Sequence, residues 1–426
     1  MEIQQLHALF LQCHSACTDT RKISKNDMFF ALKGDNFDGN IYAEQALNLG
    51  ATFVVIDDAK YYKNTNTILV SNVLETLQEL AAFHRTYLGI PIIALTGSNG
   101  KTTTKELINA VLSERYKTNA TVGNLNNHIG VPLTLLSMDK GTEIGIVEMG
   151  ANHLKEIDFL CNIAKPDYGY ITNFGKAHLE GFGSVEGVIK GKSEMYDHLV
   201  QHHKTIFVNA NDPIQIQKTT GANVYTFGNE GQTPNVSIHF SHAQPFVTCN
   251  YHHLTIESQL IGDYNFSNIA ASIAIGNYFK VDDLSIKRAI ENYVPANNRS
   301  QIIIKDSNKI ILDAYNANPT SMAAALLNLE KQAGYKIAII GDMFELGDKS
   351  GDEHQQIASL ANALHIDSTI FVGENFYKAH IDSSKSSKYK SFSEFKEGFK
   401  PGSIKNATIL IKGSRGMAME RILEIL

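Results

Sequence analysis

Cysteine is scarce, since the chain of 426 residues contains only Cys13, Cys17, Cys161 and Cys249. Three residues separate Cys13 from Cys17, but no second pair of Cys or His residues has a matching spacing. Such a set provides neither the dense disulfide framework of a small secreted domain nor a Cys-rich zinc site. We therefore expect a reducing compartment.

An excess of positive charge and long apolar runs are also lacking. The chain has 38 Lys and Arg residues against 44 Asp and Glu residues, a net charge of −6, whereas nucleic-acid-binding domains carry basic patches. The segment 1–5 has no basic region followed by an apolar one, and no run approaches the roughly 18 apolar residues of a membrane helix. We expect a soluble, cytoplasmic protein that binds small molecules and engages neither nucleic acid nor the membrane interior.

The length of 426 residues predicts about three domains, since a domain averages about 150 residues. The hydrophobic fraction of 43% is that of an ordinary globular chain, which buries sizeable cores. Residues 1–88 alternate short apolar runs with turns, which predicts a small α/β domain. Residues 89–296 predict a parallel-sheet domain with an antiparallel β addition at 222–261. Residues 297–426 predict a Rossmann-like, doubly wound domain that ends in a helix at 417–426.

A glycine-rich segment follows the first strand of the central domain. Residues 97–103 read Gly-Ser-Asn-Gly-Lys-Thr-Thr, after the apolar run 92–95 and before a helical pattern. This order is typical of a phosphate-binding loop: backbone N–H groups converge on phosphates, Lys101 adds a charge, and the Thr102 hydroxyl can reach Mg²⁺. Leu95 occupies the position of the usual first glycine, so the loop is a shortened variant. The alternative is a chance turn before a helix.

Three charged or titratable residues of this domain are candidate site residues. Glu148 ends an apolar strand pattern, where it can hold a divalent cation, cap the next helix or pair with Lys155. His178 follows another strand at the sheet edge where ligands bind in open α/β sheets, although a lone His is more often a core residue. Lys192 lies in a polar run that reads as a solvated helix face.

Several ordered motifs resemble those of the Mur ligase family, and the resemblance spans essentially the whole chain. They are residues 97–103, 121–132, 148–150, 173–178 and 262–271, then Arg299, and then 313–319. Within the family, residues 315–319, 341–347 and 412–415 resemble the branch that joins D-alanyl-D-alanine to a UDP-N-acetylmuramoyl-tripeptide. Ala314 departs from that pattern, which commonly has Ser there, so any hydroxyl contact at this position is lost.

The resemblance implies an ATP-dependent ligase of cytoplasmic peptidoglycan precursor synthesis, and we expect a monomer. It implies that the first domain binds the UDP-sugar and that the central domain binds ATP and two Mg²⁺ ions. The implied ATP contacts are Gly97, Ser98, Asn99, Gly100, Lys101, Thr102, Thr103, Asn265 (adenine), Arg299 (γ-phosphate) and Asp313 (ribose). The implied metal ligands are Thr102 and Glu148 for one ion, and His178 with a carbamylated Lys192 for the other. The implied substrate contacts are Thr20, Arg21, Lys33, Gly34, Asn124 and Asn127, and the implied catalytic group comprises Lys101, His178, Lys192 and Arg299.

Other functions remain open at this point. A motor or transport ATPase would share the phosphate loop, and a non-catalytic UDP-sugar-binding module would need the first domain alone. A ligase that adds a single amino acid to a UDP-muramoyl-dipeptide is the nearest alternative, but the chain has no Asp-Asn-Pro-Arg stretch. The third residue of the tripeptide, and the choice between a dipeptide and a depsipeptide acceptor, stay open.

Overall fold

The computed structural model describes residues 1–229, 231, 233–381, 384–400 and 402–426. The chain forms three α/β domains, each built around its own sheet. The predicted fold class is confirmed. Among the described residues, none of the helices combines the length and apolar character needed to cross a membrane.

The first domain contains a four-stranded sheet in which all neighbours are parallel, in the order β1-β2-β5-β6. A two-stranded hairpin formed by β3 and β4 lies beside it. The strands are β1 (Ala16–Cys17), β2 (Met28–Phe30), β3 (Lys33–Gly34), β4 (Phe37–Asp38), β5 (Phe53–Ile56) and β6 (Thr67–Leu69). The helices are α1 (Ile3–Phe10), α2 (Ala43–Asn48) and α3 (Val73–Leu88). Asn72 caps α3 by accepting hydrogen bonds from two backbone N–H groups of its first turn.

The central domain contains a nine-stranded sheet in the order β15-β14-β13-β12-β11-β10-β7-β9-β8. Its strands are β7 (Ile92–Thr96), β8 (Thr118–Ala120), β9 (Ile144–Glu148), β10 (Tyr168–Ile171), β11 (Thr205–Asn209), β12 (Val224–Gly228), β13 (Val236–His242), β14 (Thr248–Tyr251) and β15 (Leu254–Glu257). Its helices are α4 (Lys101–Ser113), α5 (Gly130–Leu136), α6 (Glu156–Ala164), α7 (Leu179–Phe182), α8 (Val185–Gln201), α9 (Pro213–Lys218), α10 (Phe266–Tyr278) and α11 (Asp283–Asn292). Helix α3 of the first domain packs on α5 and α6.

The antiparallel addition predicted at 222–261 is right for β13, β14 and β15, which pair antiparallel. It is wrong for β12, which pairs parallel with both β11 and β13. Helix α9 connects β11 to β12, and a helical crossover returns the chain in the same direction. The parallel sheet is therefore wider than the sequence suggests.

The C-terminal domain contains a six-stranded sheet in the order β16-β17-β21-β18-β19-β20, parallel except for the β16–β17 pair. Its strands are β16 (Gln301–Lys305), β17 (Asn308–Asp313), β18 (Tyr335–Gly341), β19 (Ser368–Val372), β20 (Ser386–Tyr389) and β21 (Ala407–Lys412). Its helices are α12 (Pro319–Glu330), α13 (Ser350–Ala363), α14 (Glu374–Lys378) and α15 (Phe392–Gly398). The predicted final helix is wrong, because Ala418 has a left-handed backbone (φ 47°) and the chain forms two short 3₁₀ segments instead.

Candidate active site

The glycine-rich loop joins β7 to α4, as predicted. Gly97 has φ 141°, and a Cβ atom there would lie 2.0 Å from the Thr172 hydroxyl, so only glycine fits. Gly100 has φ 80° and immediately precedes α4. The Lys101 ammonium donates to the Gly97 carbonyl at 2.7 Å, and burial lowers the pKa of Lys101. The loop thus places a cation at the start of α4.

The segment after β10 supports this loop. The Ser98 N–H donates to the Asn173 carbonyl at 3.0 Å, and the Ser98 hydroxyl donates to the Gly175 carbonyl at 2.6 Å. The Thr172 hydroxyl donates to the Asn99 carbonyl at 2.6 Å. From the C-terminal domain, the Asn318 side-chain amide donates to the Asn99 side-chain oxygen at 2.8 Å. The phosphate loop is therefore fixed from two domains.

Glu148 is buried at the carboxyl end of β9, with both carboxylate oxygens engaged. One accepts from the Thr102 hydroxyl and the other from the Asn126 side-chain amide, each at 2.8 Å. Lys155, weighed above as its partner, instead lies 3.8 Å from Asp158. A carboxylate beside a hydroxyl offers the hard oxygen ligands that Mg²⁺ prefers, so this pair fits a divalent cation. Across the described chain, no cluster of three or more His, Cys, Asp or Glu side chains is arranged to hold a metal ion.

Asn126 is a site residue that the sequence analysis did not predict, since it named Asn124 and Asn127 instead. Asn124 is exposed and lines the main cavity of the protein, which contains the phosphate loop and Glu148. Asn127 also lines this cavity, but its side-chain oxygen accepts from the N–H groups of Ile129 and Gly130 at 3.1 and 2.9 Å. That oxygen therefore supports the turn before α5.

His178 faces a residue of the C-terminal domain. Its Nδ1 atom lies 2.5 Å from a carboxylate oxygen of Glu345, and this contact lowers the pKa of Glu345. Both residues have left-handed backbones, with φ 51° and 60°. The Glu180 N–H also donates to the Glu345 carbonyl at 3.2 Å. Glu345 lies in segment 341–347, one of those that carry the family resemblance. Its contact with His178 joins two domains, so sequence spacing could not reveal this contact.

Lys192 is fully buried on α8, with 0% of its surface exposed, so the interpretation as a solvated helix face is wrong. Its amine donates to the Ala151 carbonyl at 3.0 Å and lies 5.3 Å from the centroid of the Phe182 ring. Burial holds the pKa of Lys192 well below its ordinary value. The positive charge of Lys101 adds to this effect, and the acidic groups of two nearby residues oppose it. A neutral amine is the form that reacts with CO₂, so the residue fits carbamylation.

Arg299, Asp313 and Asn265 line the side of the cavity where the central and C-terminal domains meet. Asp313 pairs with Lys412 at 2.6 Å. The Asn265 amide is buried, and it donates to the Ile261 carbonyl at 2.8 Å. The guanidinium of Arg299 lies over the ring of Tyr315 rather than against a carboxylate.

The four residues implied to contact the UDP-sugar all lie in the first domain but not on the wall of the main cavity. Arg21 pairs with Asp19 at 2.8 Å, and Lys33 pairs with Asp57 at 2.8 Å. Thr20 begins a short 3₁₀ segment, and Gly34 ends β3. The first domain reaches the cavity through the start of α3, a contribution that the sequence reasoning missed. The α3 residues and cap that line the cavity are Asn72, Leu74, Glu75 and Gln78.

These parts share one cavity of about 1160 Å³. The phosphate loop and Glu148 form one wall, the start of α3 another, and the segments 313–321 and 412–415 a third. Fold and site together define a nucleotide-binding α/β enzyme whose cavity is shared by three domains.

The chain belongs to the Mur ligase family. Family models match along its length: "Mur ligase family, catalytic domain" at 12–88, "Mur ligase middle domain" at 95–276, and "Mur ligase, glutamate ligase domain" at 298–415. The predicted family is confirmed.

Two relatives are named UDP-N-acetylmuramoyl-tripeptide--D-alanyl-D-alanine ligase. The Bacillus subtilis protein is 35% identical over 96% of this chain and 92% of its own length. The Escherichia coli protein is 32% identical over 99% of this chain and 95% of its own length. Among solved structures, MurF from Acinetobacter baumannii has a TM-score of 0.87 at 29% identity, covering 99% of this chain and 97% of that one. MurF from Thermotoga maritima, in complex with ADP, has a TM-score of 0.83 at 27% identity, covering 98% and 97%.

Proposed function

We propose that this chain is an ATP-dependent, C–N bond-forming ligase that joins D-alanyl-D-alanine to UDP-N-acetylmuramoyl-tripeptide in peptidoglycan precursor synthesis. The observation that carries the proposal is the shared cavity, in which a phosphate loop faces residues from the two other domains. A ligase needs this arrangement because ATP, a carboxylate and an amine must meet at one place. Relatives with this activity in their names match nearly the full chain.

The reaction begins with activation of the tripeptide, because a carboxylate is a poor electrophile. Its terminal carboxylate oxygen attacks the γ-phosphorus of ATP, which gives an acyl phosphate and releases ADP. The amine of D-alanyl-D-alanine then attacks the acyl carbon, and the tetrahedral intermediate expels phosphate. Lys101 and Arg299 offset the repulsion between the two anions and hold the phosphoryl group in line.

Mg²⁺ fits the site, and when bound it would neutralise charge on the phosphates. Thr102 and Glu148 would hold one ion, and His178 with carbamylated Lys192 would hold a second. The carbamate is proposed because the Lys192 amine is buried beside a carbonyl and its pKa is lowered, which favours the uncharged form that adds CO₂.

The remaining roles follow the division of the chain into units of residues 1–88, 89–296 and 297–426. We propose that the first unit binds the UDP moiety, that the second binds ATP, and that the third covers the acyl phosphate and excludes water. The proposed UDP contacts are Thr20, Arg21, Lys33 and Gly34; those to the muramoyl-peptide are Asn124 and Asn127; those to adenine and ribose are Asn265 and Asp313. We further propose a monomer that acts in the cytoplasm, where ATP and the UDP-linked precursor are supplied.

The test supplies ATP, Mg²⁺ and UDP-N-acetylmuramoyl-tripeptide, and adds candidate amines one at a time. We expect phosphate release with D-alanyl-D-alanine, and a product heavier than the tripeptide by one dipeptide less one water. Single amino acids should give no product. A product with a single amino acid would identify the nearest alternative ligase, and phosphate release without any amide product would identify an ATPase.

A further inference from the structure

Arg299 lies in the connection between α11 and β16, where the central domain passes into the C-terminal one. Three of its neighbours have left-handed backbones, Asn297 at φ 60°, Asn298 at 57° and Ser300 at 49°. Asn visits this region more readily than most residues, whereas Ser300 adopts it where the surroundings hold it. One such restraint comes from the C-terminal domain, since the Tyr315 N–H donates to the Asn298 carbonyl at 3.2 Å.

The Arg299 side chain is held by an aromatic ring. Its Cζ atom lies 3.6 Å from the centroid of the Tyr315 ring, well within the range of a cation–π contact. Among the described residues, no carboxylate forms an ion pair with Arg299, and its buried Nε atom has no hydrogen-bond partner. Stacking on a ring leaves the in-plane N–H groups of a guanidinium available, so they remain free to bind an anion.

Both side chains line the cavity that contains the phosphate loop. The positive charge of Arg299 contributes to the lowered pKa of Lys101, although burial is the larger cause. A second guanidinium, that of Arg415, lies 5.5 Å from the same ring. Tyr315 therefore contacts two guanidinium groups, that of Arg299, which is near the phosphate loop, and that of Arg415.

We propose that Tyr315 is the positioning residue for Arg299, and that it directs the guanidinium toward the terminal phosphate of ATP. The proposal rests on the proposed function, since that function assigns the γ-phosphate to Arg299. Arg299 and Tyr315 both belong to the unit 297–426, so the stacked pair moves with the C-terminal domain and faces the phosphate loop only when that domain is docked. The binding of the terminal phosphate is thereby coupled to the position of this domain.

The experiment measures the dissociation constants of a non-hydrolysable ATP analogue and of ADP by calorimetry, on the full chain with Mg²⁺. We expect Tyr315→Leu to weaken binding of the analogue about 2- to 30-fold, the range of cation–π contacts. Binding of ADP should change less than twofold, since ADP lacks the terminal phosphate. Tyr315→Phe keeps the ring and should bind both nucleotides like the unmodified chain.

Tyr377 offers a matched control on the same domain, because Lys388 and Lys390 lie 5.3 and 5.0 Å from its ring centroid. Tyr377→Leu should leave both dissociation constants unchanged. Arg299→Lys keeps the charge but loses the planar stack, so it should reproduce the selective loss even if Tyr315→Leu fails to fold. In the double variant, Tyr315→Leu should add little to Arg299→Lys.

Equal weakening of both nucleotides, a Tyr315→Phe variant as impaired as Tyr315→Leu, or an Arg299→Lys variant with normal affinity for the analogue would each overturn the proposal. These outcomes would leave the proposed ligase activity standing, since they concern one contact. Failure of the unmodified chain to bind either nucleotide would overturn both the positioning role and the proposed function.

Discussion

Replacing Lys192 by Met should separate catalysis from stability. Methionine has a similar length and no amine, so it fills the buried space without polar atoms. The uncharged Lys192 amine has two N–H donors, and among the described residues the Ala151 carbonyl is the one acceptor that it contacts. We expect the variant to be more stable than the unmodified chain with its free amine and to be nearly inactive, whereas loss of an ordinary core residue would lower both.

The gain in stability can be worked from burial. A buried donor without an acceptor costs about 1–3 kcal/mol, and in a domain of this size about 1 kcal/mol moves the melting temperature by ~2–4 °C. The central domain of Lys192→Met should therefore melt about 2–12 °C higher. Because burial lowers the pKa of Lys192, the unfolded chain binds a proton that the folded chain does not, from the lowered pKa up to about 10.4. The stability of the unmodified chain rises with pH in this window, so the advantage of the variant should shrink as the pH rises toward about 10.4.

Turnover should fall at least about 100-fold, since the proposed carbamate is an anionic ligand for the second cation. Thermal melting is measured in CO₂-depleted buffer, where Lys192 keeps its free amine, and phosphate release is measured in buffer that contains bicarbonate. Formate or acetate should restore part of the activity of Lys192→Ala, where space is vacated, and none of that of Lys192→Arg. Near-normal turnover of Lys192→Met in CO₂-depleted buffer, or activity that declines only with a lower melting temperature, would refute this reasoning.

Further predictions concern the phosphate loop and two contacts between domains. Lys101→Ala should abolish turnover with its melting temperature nearly unchanged; a loss of activity that follows a loss of stability would contradict its role. Asn318→Ser keeps a cap for α12 but loses the amide that contacts Asn99. The KM for ATP should therefore rise severalfold in steady-state assays, and an unchanged KM would contradict a role of this contact in ATP binding. Burial lowers the pKa values of His7 and His84, whose Nε2 and Nδ1 atoms lie 2.9 Å apart. Protonation below about pH 6.5 therefore favours the unfolded chain. Stability should fall from pH 7.5 to 5.5, and less steeply for His7→Gln; equal slopes in thermal melting would exclude this pair as a cause.

Local order was readable from the sequence where one short segment determines it. The phosphate loop is such a case, because strand, glycines and helix follow one another within residues 92–113. Lys192 shows the opposite, since its polar neighbours indicate a solvated face whereas the packing of α8 buries it completely. The resemblance to a family assigned it a special role, but neither composition nor spacing could.

Contacts between distant segments explain most other differences. Asn126 and Asn127 are adjacent and chemically alike, and only the fold directs the first to Glu148. The Ser- and Lys-rich composition of residues 383–388 predicts an exposed loop. Ser386–Tyr389 is instead the edge strand β20, whose polar side chains give no apolar pattern. Ser383 lies outside the described residues. The contact of Glu345 with His178 depends on the docking of two domains, which no local pattern encodes.

The most direct test of the account follows an oxygen atom. The terminal carboxylate of UDP-N-acetylmuramoyl-tripeptide is labelled with ¹⁸O, and the phosphate released in the presence of ATP, Mg²⁺ and D-alanyl-D-alanine is analysed by mass spectrometry. Activation as an acyl phosphate transfers one carboxylate oxygen to phosphorus, so we predict one ¹⁸O in each phosphate released per amide formed. Phosphate without the label would mean that water attacks ATP, and it would contradict the assignment of this cavity to ligation.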